Sequence, residues 1–405
     1  MIKILHINDK IENKGGVETN IQQLCDLAPN YAMKMHWLGV YEGDKGFTIK
    51  VASEAPRVQQ NEKLAKCVEF ICNFCENELI DLIHVHSISN PKLLDELFKI
   101  RPVVRSMHEP RMLCPGQGKF LRKSERVCNI TYGVHCFYHA YKEGCCNRHP
   151  KRLVKAYKNV EYETKKASSK YAAIFVMSNY MRNEALKVGF KANTLFLNPS
   201  LTPLINKVHL KDSSNDDVKS LVYVGRLSRT KGVHYAIKSV VSLLEQGYKV
   251  KFDIVGSGHD ENYFKALVPG EFNSQFIFHG WLDTEATDSI VRNAYVFLFP
   301  SIYPEAFGIS GIEAMMHAKV VVAFNVGGVT TWLKHNETGL LVEPLNQKKY
   351  TLAIKEIIED RTKYKSFSIQ ARSNAITFFS EKQHMSKLLC VYINILNSNA
   401  NSNFK

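Results

Sequence analysis

The 405 residues, 45% hydrophobic and 23% charged, are too many for one core and fit two domains of ordinary globular composition. That profile excludes wholesale disorder, a collagen-like fibre and a disulfide-knotted miniprotein. The formal net charge of +14 is concentrated in one place: residues 101–200 hold 19 Lys/Arg against 6 Asp/Glu, and the rest of the chain holds 34 against 33. A field confined in this way draws phosphates, whether on nucleotides, anionic lipids or nucleic acid; the plain alternative is a solvated basic face.

In chain order, Ile2–Ile7 reads as a short apolar strand, too brief for a signal peptide, followed by a glycine pair and a helix through Ile21, Leu24, Cys25 and Leu27. Met35–Val40 is a second strand, and residues 62–80 are helical with Leu64, Cys67, Val68, Ile71, Cys72 and Cys75 at the 3.6-residue period. Cys72 and Cys75 read as core packing of that helix. Leu82–His86, Val103–Met107, Ala172–Met177 and Leu195–Leu197 are further strands, with Ser178 capping a helix over Asn179–Val188 that Gly189 closes. Residues 198–219, with two Pro and a polar run, read as a linker.

The rhythm then restarts. Strands fall at Leu221–Val224, Lys249–Val255, Phe276–His279, Val296–Phe299 and Val320–Phe324, with helices near 231–246, 260–268, 284–293 and 308–317 between them. Lys348–Leu396 is helical. Continuous apolar strands alternating with helices indicate parallel sheets covered on both faces, so the expected architecture is two doubly wound α/β domains in tandem. No stretch approaches the roughly 20 apolar residues of a membrane span. With ten Cys and no export signal, the chain reads as cytosolic, its Cys as reduced thiols or metal ligands.

Open parallel sheets bind ligands at the carboxyl ends of their strands, so four strand-to-helix loops carry the chemistry. Gly15-Gly16 follows the first strand and allows backbone N–H groups to approach a phosphate or sugar at a helix start, although such a pair is as often a tight turn. Gly225-Arg226-Leu-Ser-Arg-Thr-Lys231-Gly232 places two cations near one strand end, suited to a departing diphosphate. Tyr303-Pro-Glu305-Ala-Phe307-Gly308-Ile309-Ser310-Gly-Ile-Glu313 offers two carboxylates flanking the first N–H groups of a helix. Asn325-Val-Gly327-Gly328 supplies a second glycine pair. Each loop alone has a bland reading as a cap, a turn or a solvated charge; four at corresponding strand ends point to a ligand bearing hydroxyls and phosphates.

These residues resemble a known family. PEAFGISGIEAM, with Glu305 and Glu313 at its acidic positions, is similar to the hallmark of retaining GT-B glycosyltransferases, specifically glycosyltransferase family 4 (glycosyl transferases group 1). GRLxxxKG at 225–232, IVGxG at 254–258, NVGGV at 325–329 and NETGLLV at 336–342 match that family's C-terminal domain in order and spacing. GGVET at 15–19, DLIHVH at 81–86 and the Ser178 strand end resemble its N-terminal domain. The resemblance implies two Rossmann-like domains facing a cleft. It implies that Arg226 and Lys231 hold the diphosphate of a UDP- or GDP-linked sugar, Glu313 the ribose and Glu305 the sugar hydroxyls. Gly225 and the backbone at Phe307, Gly308, Ile309 and Ser310 line the donor. Gly15 and Gly16 approach the diphosphate, and His108 lies near the sugar. The implied reaction is metal-independent transfer with retention, without a protein general base or resident cofactor.

Residues 109–170 are the least generic part, a basic Cys/His-rich insertion. Cys114, Cys128, Cys136 and Cys145 or Cys146 are possible ligands of a structural Zn, though no Cys-x-x-Cys pair occurs among them. The same stretch, with Phe120, Phe137, Tyr138 and Tyr141, suggests docking on an anionic membrane that presents a lipid-linked acceptor, hence a cytoplasmic protein peripheral to the membrane. The expected boundaries are 1–200 for an acceptor domain, 201–219 for the linker, 220–380 for the nucleotide-sugar domain and 381–405 for a helix crossing back to the first. Two other functions share parts of this pattern. A sugar-nucleotide 2-epimerase has the same fold, which the Glu305–Glu313 spacing disfavours. A basic nucleic-acid-binding protein fits the charge but lacks a recognisable module, so no nucleic-acid partner is expected.

Overall fold

A computed structural model describes residues 1–11, 16–43, 46–52, 58–201 and 217–402. Most of the linker and Gly15 therefore lie outside the described residues. The chain forms two compact units: Met1–Lys123, Cys128–Leu201 and Lys382–Lys405 make the first, and Ser124–Val127 with Thr202–Glu381 the second. No helix among the described residues is long and apolar enough to cross a membrane.

The first unit is built on β1 (Ile2–Asn8), β2 (Met33–Gly43), β3 (Gly46–Val51), β4 (Val58–Glu62), β5 (Leu82–Val85), β6 (Val103–Met107), β7 (Ala173–Val176) and β8 (Leu195–Leu197). The sheet order is β8-β7-β6-β5-β1-β2-β3-β4. From β8 to β2 every pairing is parallel, as the apolar runs predict. β3 and β4 extend it antiparallel, with Gly43 registered on Gly46 so that only two residues intervene. The helix Pro91–Ile100, which the apolar periodicity does not single out, carries Pro at its start and Asn90 as N-cap, its side chain accepting from the Leu93 N–H.

The last helix, Glu381–Ser402, contributes Met385, Leu388, Val391, Tyr392 and Ile395 to the core of this first unit, against Ile4, Leu82, Val104 and Phe175. Those five residues recur at the three- and four-residue spacing of one helical stripe. The insertion is equally anchored. Its helix Pro150–Lys165 buries Leu153, Val160, Tyr162 and Glu163, and Glu163 faces Arg105 of β6 at 3.4 Å. Lys119 pairs with Glu184 at 2.7 Å, the two side chains only 2% and 4% exposed.

The second unit has β9 (Lys219–Val224), β10 (Val250–Val255), β11 (Phe276–Gly280), β12 (Val296–Phe299), β13 (Val320–Phe324) and β14 (Gly339–Val342) in the order β11-β10-β9-β12-β13-β14, all parallel. Counted within the unit this is 3-2-1-4-5-6, the doubly wound dinucleotide-binding order, with its switch point between β9 and β12. β14 is an edge strand that the sequence pattern does not separate from the loop before it.

Candidate functional site

The loops after β9, β12 and β13 meet at the switch point of the second unit. After β9 the chain passes Arg226, makes a short 3-10 turn over Arg229–Lys231 and enters the helix Val233–Glu245 at Gly232. The Thr230 carbonyl accepts from the N–H groups of both Ile302 and Tyr303, 3.1 Å each, which stitches this loop to the one after β12. Gly232 has φ +69°, and a Cβ there would sit 1.8 Å from the Pro300 carbonyl oxygen, so only glycine allows the two loops to touch.

That contact brings the charges together. Lys231 Nζ lies 2.6 Å from Glu305 Oε1, and Ser301 Oγ donates to the same oxygen at 2.6 Å. Glu305 is buried and Lys231 partly exposed. Both of these partners engage Oε1, and among the described residues no hydrogen bond to Oε2 is formed. Arg226 is exposed and forms no ion pair among the described residues. Its backbone carbonyl accepts from Tyr223 Oη at 2.9 Å, and burial first, then the Glu305 carboxylate, push that phenol up while Arg226 opposes them. The β13 loop braces Glu305 from behind: Gly328 N–H donates to the Glu305 carbonyl at 2.6 Å, and a Cβ on Gly327 (φ +51°) would fall 2.5 Å from that oxygen.

The helix Ile309–Met316 starts at Gly308, and the Gly311 N–H turns back to the Gly308 carbonyl at 3.1 Å. The N–H groups of the first turn, Ile309 and Ser310 among them, have no partner within the helix itself. Phe307 is fixed by Trp332, whose indole N–H donates to its carbonyl at 2.6 Å. Glu313 lies one turn into this helix. Burial, then neighbouring Asp288, push its carboxyl up to about 7. Asp288 is itself held 3.2 Å from His317 Nε2. Arg226, Lys231 and Glu305 thus share one locus, while Glu313 sits beside an acidic neighbour further along the helix. Trp332 and Asp288 carry no sequence signal, because each acts by touching a distant segment, and Ser301 because a lone loop serine has no distinguishing pattern.

In the first unit, Gly16 opens the helix Gly16–Leu27 after β1, and among the described residues a Cβ there would meet nothing within 4 Å beyond its own chain neighbours and helix backbone. His108 follows β6 and is partly buried. It belongs to a chain of imidazoles: His6 Nδ1 lies 2.8 Å from His86 Nε2, and His86 Nδ1 lies 2.8 Å from His108 Nε2. Burial holds His6 and His108 down at about 3 and His86 well below the ordinary value. His84, on β5, is occupied on both sides, Nδ1 by Tyr392 Oη at 2.6 Å and Nε2 by Ser106 Oγ at 2.8 Å. The DLIHVH motif marks two of these residues; His6, some 80 positions away, could be joined to them only by folding.

The insertion corrects one expectation. Phe120 is buried and unavailable to a membrane, and Phe137 packs on Tyr157; Ile130, Val134, Tyr138, Tyr141 and Val154 are the exposed large apolar side chains. Cys114, Cys136, Cys145 and Cys146 are partly buried thiols whose titration is raised first by burial, that of Cys145 to about 12. Cys114 and Cys128 lie close enough to act electrostatically on Cys136 and Cys145. Yet among the described residues the one set of three potential ligand atoms within 4.8 Å is His6, His84 and His86. As placed, the thiols do not converge on one ion.

Solved glycosyltransferases match this architecture along almost the whole chain. A glycosyltransferase from Rickettsia africae is similar at TM-score 0.69, with 15% identity over 98% of each chain. Anabaena HepE, in complex with UDP and glucose, is similar at 0.61, with 17% identity over 99% of each. The fold is therefore that of the GT-B glycosyltransferases, two Rossmann-like units. Residues 206–374, which fall within the second unit, match the protein-family model described as glycosyl transferases group 1. Among curated relatives, the uncharacterized glycosyltransferase MJ1607 of Methanocaldococcus jannaschii is 32% identical over 36% of this chain. The capsular polysaccharide biosynthesis glycosyltransferase CapM of Staphylococcus aureus is 29% identical over 42% of it. The matches span 37% and 44% of those relatives' own lengths.

Proposed function

We propose that this chain is a retaining, metal-independent glycosyltransferase of family 4 that uses a UDP- or GDP-linked sugar. The observation that carries the reading is the Arg226–Lys231–Glu305 cluster at the switch point of the second unit, with its exposed guanidinium. Arg226 and Lys231 take the diphosphate, Glu305 orients sugar hydroxyls through Oε2, and Glu313 accepts from the ribose. The N–H groups of the Gly308–Ser310 turn complete the phosphate cradle. In the first unit, Gly16 leaves room beside a helix start and His108 meets the sugar.

In the reaction, the bond from the anomeric carbon to the leaving phosphate oxygen breaks. The acceptor oxygen bonds to the same face of that carbon, and the acceptor proton passes to the departing phosphate. The cations stabilise charge that develops on the diphosphate, the role a metal ion fills elsewhere. A screen of nucleotide sugars for thermal stabilisation, followed by a transfer assay with the best binder, tests the assignment, because a bound donor raises stability by mass action. No stabilisation by any nucleotide sugar would refute it. Transfer is expected to survive EDTA; loss that Mg²⁺ restores would overturn metal independence.

The acceptor reading is a lipid-linked saccharide of surface polysaccharide or glycolipid synthesis, reached from an anionic cytoplasmic membrane face. It is supported by the basic insertion with exposed Val134, Tyr138 and Tyr141 and by the similarity to CapM. Co-sedimentation with anionic but not neutral vesicles checks it. Zinc on the insertion thiols would need the loop to close around the ion, and metal analysis well below one zinc per chain would exclude it.

A further inference from the structure

The imidazole chain of the first unit has a direction. A neutral histidine carries one N–H and one lone pair, so in a row of three each hydrogen bond fixes the next. The ring centroids of His6 and His86 are 5.1 Å apart at an interplanar angle of 24°, and those of His86 and His108 are 5.1 Å apart at 18°. With N···N distances of 2.8 Å, the rings meet edge to edge and nearly in plane, the alignment a relay of N–H···N bonds needs.

Two arrangements satisfy both bonds. In one, every Nδ1 carries the proton; in the other, every Nε2 does. They differ at the buried end: His6 Nε2 is buried and meets no hydrogen-bond partner among the described residues. An orphaned buried N–H is rarer and costlier than an unfilled lone pair, so His6 holds its proton on Nδ1. His86 then donates from Nδ1 to His108, and the proton left to His108 is on its own Nδ1, which takes no hydrogen bond among the described residues.

We infer that His6 and His86 are positioning residues that lock His108 in the Nδ1–H tautomer, so that it presents a fixed hydrogen-bond donor to a sugar oxygen at the carboxyl ends of β1, β5 and β6. The identity of the ligand rests on the transferase reading; the tautomer does not. Arg105 and His384, the charged and titratable groups that act on His108, both favour the neutral ring. The relay cannot serve as a proton wire, because its inner end has no source or sink among the described residues. The three-histidine grouping His6, His84 and His86 is also no metal site as built, since both nitrogens of His84 and the facing nitrogens of the other two are already engaged.

Protein labelled selectively with 15N-histidine, read by long-range 1H–15N correlation from about pH 5 to 8, tests this without substrate. His6, His86 and His108 are expected as neutral Nδ1–H tautomers that do not titrate across that range. An Nε2–H tautomer for His108, or titration of its ring between those limits, overturns the inference. Replacing the middle ring, His86→Leu, is expected to release His108 toward Nε2–H; an unchanged Nδ1–H signature in that variant overturns the relay as its cause. Should the variant not fold, the wild-type spectrum still decides. If wild-type protein transfers no sugar while His108 shows the locked tautomer, the functional reading fails and the relay stands. If it transfers sugar while His108 carries its proton on Nε2, the relay fails and the functional reading stands.

Discussion

Both units place their chemistry where the strand order reverses, between β1 and β5 in the first and between β9 and β12 in the second, yet they furnish that position with opposite materials. The second unit displays charge: an exposed Arg226 and a Lys231–Glu305 pair at the mouth of loops held by backbone contacts. The first buries neutral rings, three of them in a hydrogen-bonded row, and confines its buried charges to internal pairs such as Lys119–Glu184. On the proposed reading, the same topology supplies a surface that answers ligand charge in one case and a rigid backing that aims a single donor in the other. Net charge read from the sequence does not reveal this division. The first unit carries most of the basic excess, but part of that excess is consumed inside its own packing.

The sharpest way to break the contrast is Glu184→Ala, which strands Lys119 in the interior with the Ile130 carbonyl as its remaining partner at 2.6 Å. A loss of about 3–5 kcal/mol in denaturant unfolding is expected, and a change below about 1 kcal/mol would show that the pair is not structural. Arg226→Ala should cut turnover about 10²-fold or more, about 2.7 kcal/mol, with unfolding unchanged. Near-wild-type steady-state rates would remove it from the site.

A third test is the pH dependence of nucleotide binding. Burial pushes the Glu313 carboxyl up to about 7, so if the ionised form accepts from the ribose as proposed, affinity should rise as pH climbs through neutrality. Binding about tenfold weaker at about pH 6 than at about pH 8, measured calorimetrically and flattened in Glu313→Gln, is the expected pattern. The smallest effect belongs to Lys170→Ala. Its ion pair with Asp95, 2.6 Å long but half exposed, should contribute less than about 1 kcal/mol to stability.

Much of the fold is legible in the sequence, for a physical reason. Strands buried on both faces, such as Val103–Met107 and Val320–Phe324, are written as unbroken apolar runs, and glycines at strand ends mark where backbone must approach backbone. Gly232 and Gly327 are such cases, although the structure shows them accommodating protein atoms. β3 escapes because only its alternate residues Phe47 and Ile49 are buried, between Thr48 and Lys50, and β4 because Val58–Glu62 is almost wholly polar in sequence. Phe120 misleads because an aromatic amid lysines looks exposed until the segment is seen folded onto the core. Asp288 beside Glu313 leaves no trace, since an aspartate on a helix has no pattern until its partner arrives from elsewhere, and Ser301, though only four residues from Glu305, is a serine in a loop with nothing to mark its role.

The last helix has a consequence for how the molecule is made. Because Met385, Leu388 and Tyr392 complete a core begun by Ile4, the first unit cannot close until those residues have been made, by which point every strand of the second has already been synthesised. Strands made before the second unit must wait for residues made after it, and a chain cut short before residue 382 would leave that core open and His84 without its phenolic partner.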